Sequence, residues 1–573
     1  MKLLCALCVL CCLAAHAFAL DRNAFTFTKY NLTASVDPDQ QRLGVRGVIT
    51  LRNDSSALQK NVALQISSTL SWKSIQFEGK PVEFLTHTYT SDIDHTGELS
   101  EAIVTLPRAV SPKQAIELAI GYEGTIPLDA TRLTRIGVPA ETARHTDWDQ
   151  ISPSFTAVRG IGYVVWYPVA TEAASLSQGN ALFETTGNWQ AKEANANFEL
   201  QMSAPGDDNG QPLEILMNRN SAECKFSKAN APERQGTLSC SLQLTDLAPP
   251  AFIIAPYRVM DSPASIIRYF ANHKSGADIE VQAFTKTLPF VSGWFGQPHQ
   301  KARVMELPDP KASSYESGDS LLTSFDGLDA KLTESISVHQ LTHASFASPR
   351  PWIYEGLAHF MQAAYVEREN GRQAAIDLLG SHLAAIVSEE NTISEKHDRG
   401  TETSEALTHT PIEEFYRSKA AYVWWMLRDM VGEGPLKKSL NAYHPKQDAD
   451  DAYLQKLIEA QTHRDLQWFF DDWVYHDRGL PDFRVTSVFS SQLSSGGYLV
   501  TVTVQNLGNA GAEVPISLQI TGGNAMHRLK VPANAKASIR FEVPAKPQRV
   551  TVNDGSVPES DMSNNSYMIE SGK

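Results

Sequence analysis

The hydrophobic period of this chain changes twice, and no single layer of one secondary structure satisfies both periods. From about Phe25 to Tyr257, apolar and polar residues alternate in short runs broken by turn residues, as in VRGVITLRN at 45–53, AIVTLP at 102–107 and FELQMSAP at 198–205. Alternation of period two turns one face of an antiparallel sheet inward. PGDDNGQP at 205–212 and the Pro249-Pro250 step before AFIIAPY are the clearest breaks. From about Met260 the apolar spacing becomes three and four in SIIRYFANHK, LTESISVHQLTHASF, WIYEGLAHFMQAAYVE and IEEFYRSKAAYVWWMLRDMV. That spacing is the stripe of a helix. One helix is well bounded: Thr410-Pro411-Ile412-Glu413 combines a capping Thr and Glu with Pro at the first helical position, and Gly432-Glu433-Gly434-Pro435 ends it. After Gly479-Leu480-Pro481 the alternation returns in YLVTVTVQN, VPISLQI and ASIRFEV. The expected fold is therefore multidomain α+β: an N-terminal antiparallel β domain at 20–258, a mainly helical domain at 259–480 and a C-terminal β-sandwich at 481–573.

The first nineteen residues read as an address. Lys2 precedes the apolar stretch Leu3 to Ala15, and Ala17-Phe18-Ala19 supplies the small residues that signal peptidase reads, so cleavage is expected before Leu20. The expectation is an exported protein, periplasmic or extracellular, with no membrane span after cleavage; a retained anchor is the alternative. Four of the 6 cysteines lie in this segment, leaving Cys224 and Cys240. In an oxidising compartment these two are expected to pair across a hairpin, with two free buried thiols as the alternative. Fifty basic against 65 acidic side chains give a net charge of −15 in 573 residues, which argues against nucleic acid as a partner, because phosphate contacts need excess Lys and Arg.

His339-Gln340-Leu341-Thr342-His343 places two imidazoles one helical turn apart, on a stripe with Leu332, Ile336 and Phe346. Four residues rise about 6 Å, so two ring nitrogens can converge on one cation. With 16 His in the chain, such a pair also arises by chance. The next segment gives it meaning. Ser348-Pro349-Arg350-Pro351 ends the first helix, and the helix that follows brings Glu355 near its N-terminus. Two His and one Glu make a catalytic zinc set, since three protein ligands leave the fourth position to water.

HQLTH followed by WIYEGLAHF resembles the H-E-x-x-H and W-x-x-E-G-x-A signatures of gluzincin zinc metallopeptidases, and the chain as a whole resembles the membrane alanyl aminopeptidase family. PPAFIIAPY resembles the strand closing that family's N-terminal β domain, VSGWFGQPHQKARVMELPDP the lead-in to its catalytic sheet, and WFFDDWVYHDRGLPDF its closing helix and turn. The resemblance implies a thermolysin-like helical domain, one zinc ion held by His339, His343 and Glu355, and hydrolysis of peptide substrates.

This sequence departs from the family at three places. Gln340 stands where the family has the Glu that acts as general base, and an amide has no basic site near neutral pH, so a loss of about 10² to 10⁴ in rate is expected. Eleven residues separate His343 from Glu355, where the aminopeptidases have about eighteen. His359, one turn beyond Glu355, lines the site, replaces Glu355 or is an ordinary hydrogen-bonded imidazole. The exopeptidase motif G-A-M-E-N is missing, but Tyr315-Glu316-Ser317 lies at a comparable place, so Glu316 either anchors a peptide's ammonium or is an exposed loop residue. For the family's oxyanion-stabilising Tyr, the nearest counterparts are Tyr416 and Arg417, while Tyr422 reads as packing. Two rival readings stand beside an impaired peptidase: a zinc-binding pseudopeptidase that binds peptides or a partner protein without cleavage, and a scaffold whose His pair is structural.

Overall fold

A computed structural model of the chain describes residues 20–90, 97–161, 164–172, 193, 196–206, 213–217, 220–221, 223–228, 236–244, 251–398, 406–410, 412–494 and 496–569. The expected signal segment at 1–19 and Pro411 of the expected helix start lie outside them. The architecture is α+β, with several sheets and a helical region between strand-rich segments. It divides into two compact units.

Unit 1 comprises residues up to Arg258 with Phe270–Asn272 and Glu306–Ser314. Its largest sheet has eight strands, among them Phe25–Asp37, Arg42–Asn53, Ala115–Thr125 and Asn197–Gly206. The alternation in the sequence is visible as burial: Tyr30, Leu32 and Ala34 are all fully buried, with Phe198 and Leu200 on the neighbouring strand. One pairing is not antiparallel. Phe25–Asp37 and Asn197–Gly206 run parallel, in register from Lys29↔Asn197 to Ser35↔Ser203. Parallel neighbours need a long crossover, and more than a hundred residues separate these two strands. Cys224 and Cys240 sit directly opposite each other on adjacent antiparallel strands and form a disulfide.

Unit 2 comprises Val259–Tyr269, His273–Met305 and Tyr315–Lys573. It opens with a five-stranded sheet in the order Arg258–Asp261, Ser265–Tyr269, Ala302–Glu306, Ser320–Thr323, Tyr315–Ser317. The expected helix in SIIRYFANHK is thus corrected: Ser265–Tyr269 is a strand, parallel to Ala302–Glu306, and the helix starts only at Lys274. A short apolar run in a covered sheet has no polar face, so its periodicity cannot tell strand from helix.

Four helices build the region around the two histidines: α1 (Lys274–Phe295), α2 (Ala330–Ser345), α3 (Pro351–Asn370) and α4 (Ala420–Val431). The helix expected from Thr410 onward is α4 preceded by a π-helical turn at Glu414–Lys419, and it ends at Gly432 with φ +84°. Beyond it, two antiparallel sheets are formed by strands between Phe483 and Met568. Their inward residues, such as Val500, Val502, Ile516 and Val550, belong to the same hydrophobic cluster as Trp352, Trp424 and Trp473 of the helices. Among the described residues no helix is long and apolar enough to cross a membrane.

Candidate metal centre

Helix α2 starts at Asp329, whose side chain accepts from the backbone N–H groups of Lys331 and Leu332 at 3.0 and 2.9 Å, satisfying two donors that a helix start leaves free. Its far end is closed by His299 N–H donating to Ala344 O at 2.9 Å. Between these fixed ends the four-residue spacing brings His339 and His343 onto one face, both 3% exposed. Leu332, counted on the same stripe, is instead 60% exposed.

The connection to α3 is short and pinned. Arg350 donates through Nε to Asp448 Oδ1 at 2.7 Å and pairs with Asp451, while Ser348 Oγ and Tyr443 OH lie 2.8 Å apart. Pro351 occupies the first turn of α3, where its missing N–H costs nothing. Glu355 then lies on the α3 face toward α2, and the following Gly356 lets α3 approach the start of α4: a Cβ at 356 would stand 2.4 Å from Ala420 Cβ.

Four side chains gather. The ligand-type atoms of Glu316, His339, His343 and Glu355 all lie within 4.8 Å of one another. The two imidazole Nε2 atoms face each other at 3.0 Å. Glu355 oxygens lie 3.8 Å from His339 Nε2 and 3.7 Å from His343 Nε2. Glu316 Oε1 lies 2.6 Å from His339 Nε2 and 3.2 Å from His343 Nε2. Glu316 is delivered by the edge strand Tyr315–Ser317, which hairpins onto Ser320–Thr323.

The donor chemistry fits a divalent cation. Ligands about 2.0–2.1 Å from a tetrahedrally held zinc lie about 3.3 Å from one another, and the separations above straddle that value. Among the described residues, Glu355 Oε2 and His343 Nδ1 are buried without a hydrogen-bond partner. Two half-buried carboxylates converging on facing, buried ring nitrogens call for positive charge between them. Burial alone would raise the Glu316 carboxyl, but the charge and hydrogen bonds of His339 and His343 hold it well below the usual carboxylate range. Burial likewise opposes the charged form of His339, and Glu316 outweighs it, raising the imidazole.

The remaining expected residues are placed as follows. Gln340 is 1% exposed; its Nε2 donates to Glu316 Oε1 at 2.7 Å, and its Oε1 is buried without a partner among the described residues. Arg417, set by the π-helical turn, brings Nε to 3.5 Å from Glu355 Oε2. Tyr416 packs against the hydrophobic cluster, and burial pushes its phenol up to about 12. Tyr422 is 1% exposed, a core residue. His359 stands outside the group of four, its ring 4.7 Å from that of His339, with Nε2 buried and without a hydrogen-bond partner among the described residues. Burial, then the positive charges of His339 and Arg417, hold it well below the usual imidazole range.

Two residues that the sequence did not single out also touch the centre. His339 Nδ1 lies 3.3 Å from Gln362 Oε1, and a proton donated there leaves Nε2 as the lone pair that faces the group. The Tyr354 ring packs against that of His343 at a tilt of 32°, with centroids 4.0 Å apart. Gln362 lies seven residues after Glu355, two turns along the same face, which is the signal that points to it.

No protein-family model matches the sequence, and no curated protein does. Among solved structures, the M1 zinc metallopeptidase from Deinococcus radiodurans is similar at 15% identity and a TM-score of 0.48, covering 79% of this chain and 94% of that one. A point mutant of that metallopeptidase is similar at 15% identity and a TM-score of 0.49, over 80% and 96%.

Proposed function

We propose that this chain is an aminopeptidase-like zinc metallopeptidase whose hydrolytic step is impaired by Gln340. The observation that carries the reading is the convergence of both imidazole Nε2 atoms and the Glu355 carboxylate on one point. His339, His343 and Glu355 would hold a single zinc ion, which supplies Lewis-acid activation of a peptide carbonyl and of water when bound. Gln362 fixes the proton of His339 on Nδ1, and Arg417 offsets the charge of Glu355. Glu316 would take the ammonium of a peptide N-terminus, and Tyr416 or Arg417 would steady the developing oxyanion. Gln340 orients its neighbours by donating from Nε2, yet it accepts no proton. The wider reading places this centre in a thermolysin-like domain at 259–480, between a β domain at 20–258 and a sandwich at 481–573, in a protein exported after loss of residues 1–19. Peptides are the proposed partners, and the net charge of −15 speaks against nucleic acid.

The test is a comparison of the purified, zinc-loaded protein with its Gln340→Glu variant on aminoacyl and internally quenched peptides. The expected result is a gain of at least about 10²-fold, the low end of general-base effects. Two folded, zinc-loaded forms that are equally inert would remove the peptidase reading.

One observation favours a second reading. Gln340 Nε2 donates to Glu316 at 2.7 Å, so the amide takes part in the centre's hydrogen bonding, as expected of a pseudopeptidase that holds zinc and binds peptides or a partner protein without cleavage.

A further inference from the structure

Three nitrogens converge on one carboxylate oxygen. Glu316 Oε1 is 2.6 Å from His339 Nε2, 3.2 Å from His343 Nε2 and 2.7 Å from Gln340 Nε2. The two contacts to imidazole lie on either side of the 3.0 Å between the imidazoles themselves, and both are shorter than either contact of Glu355, at 3.8 and 3.7 Å.

We propose that in the resting protein Glu316 is a fourth protein ligand of the metal and that Gln340 is the latch that keeps it there. The proposal rests on the metal-site reading above and adds to it that the centre is coordinatively closed. In a catalytic zinc site three protein ligands leave one position open, whereas four protein ligands make the closed arrangement of a structural site. The Glu316 oxygen occupies the neighbourhood in which a fourth ligand belongs.

The identity of residue 340 decides whether it can stay. An amide donates to the carboxylate, and this contact is what satisfies Gln340, whose Oε1 has no partner. A carboxylate at 340 would set two like charges at hydrogen-bond distance, and one of them would have to move or take up a proton. Glu316 is the one free to move: it rides on an edge strand of three residues beside Gly318 at φ +58°, and its side chain is 19% exposed. Capture of a peptide ammonium by Glu316 would accordingly require the carboxylate to leave the metal, so closure and substrate binding compete for one side chain.

The experiment uses the full chain after removal of the signal segment, loaded with Co²⁺ for spectroscopy and with zinc for a competition titration against a chromophoric chelator. Wild type should give a tetrahedral Co²⁺ spectrum that azide does not change. Glu316→Ala should weaken zinc by at least about tenfold and make the Co²⁺ spectrum respond to azide. Gln340→Glu, which leaves Glu316 in the chain, should also become azide-responsive, so the proposal is tested even if the alanine variant does not fold. Unchanged zinc affinity in Glu316→Ala, together with azide-responsive wild type, overturns the proposal; if His343→Ala then abolishes metal binding, the metal-site reading survives alone. Wild type that binds neither zinc nor Co²⁺ overturns both.

Discussion

Gln340 and Gly356 show how much of the centre depends on single side chains. Gln340 is buried between the two histidines of α2, where an acid and an amide of nearly the same shape differ only in what they can give to or take from Glu316. Gly356 acts through space instead. Its missing Cβ is what allows α3 to lie against Ala420, and Glu355 is its chain neighbour. Gly356→Ala is expected to cost about 1–3 kcal/mol through overpacking, read as a lower urea midpoint, and to weaken zinc because α3 must shift with Glu355. A variant with an unchanged midpoint would show that the helices separate without cost.

At the scale of elements, α1 carries a buried carboxyl that no proposed step uses. Glu280 is 2% exposed, and burial pushes it up to about 8 from an ordinary value of 4.5. Between those values the folded chain binds more protons than the unfolded one, so this group makes stability fall as pH rises, by at most about 1.4 kcal/mol per pH unit. Glu280→Gln should therefore gain on wild type between pH 5 and pH 8 by about 3 kcal/mol, measured by urea unfolding at both values. An equal difference at the two pH values would place Glu280 in contact with water or with a cation.

The elements also show what the sequence made legible. Helices α2 and α3 were readable because the apolar spacing and the Pro351 start agree, and with them the positions of His339, His343 and Glu355; the Asp329 cap of α2 is a finding of the structure. Ser265–Tyr269 was misread because a buried strand and a short piece of buried helix carry the same apolar run. The parallel pairing of Phe25–Asp37 with Asn197–Gly206 was not legible, since alternation reports which face is buried and says nothing of the neighbour. Tyr354 is not legible for a related reason: it meets His343 by contact, at no spacing that marks it, whereas Gln362 is marked by its seven-residue step from Glu355 along one helix face.

On the scale of the molecule, the return of alternation after residue 480 marks a change of secondary structure inside one compact unit. Leu480, Phe483 and Val500 share a hydrophobic cluster with Trp425 and Trp473, and Trp473 Nε1 donates to Gly511 O at 2.7 Å. Period shifts show where strands begin; compactness depends on which apolar faces meet. The candidate metal centre lies in this same unit, on α2, α3 and the edge strand of the five-stranded sheet. The most direct measurement is anomalous diffraction on either side of the zinc edge from crystals of the zinc-loaded protein. The expected result is one peak per chain, about 2.0–2.2 Å from Nε2 of His339, Nε2 of His343 and an oxygen of Glu355. Those three side chains well ordered, with no peak among them, would contradict the account.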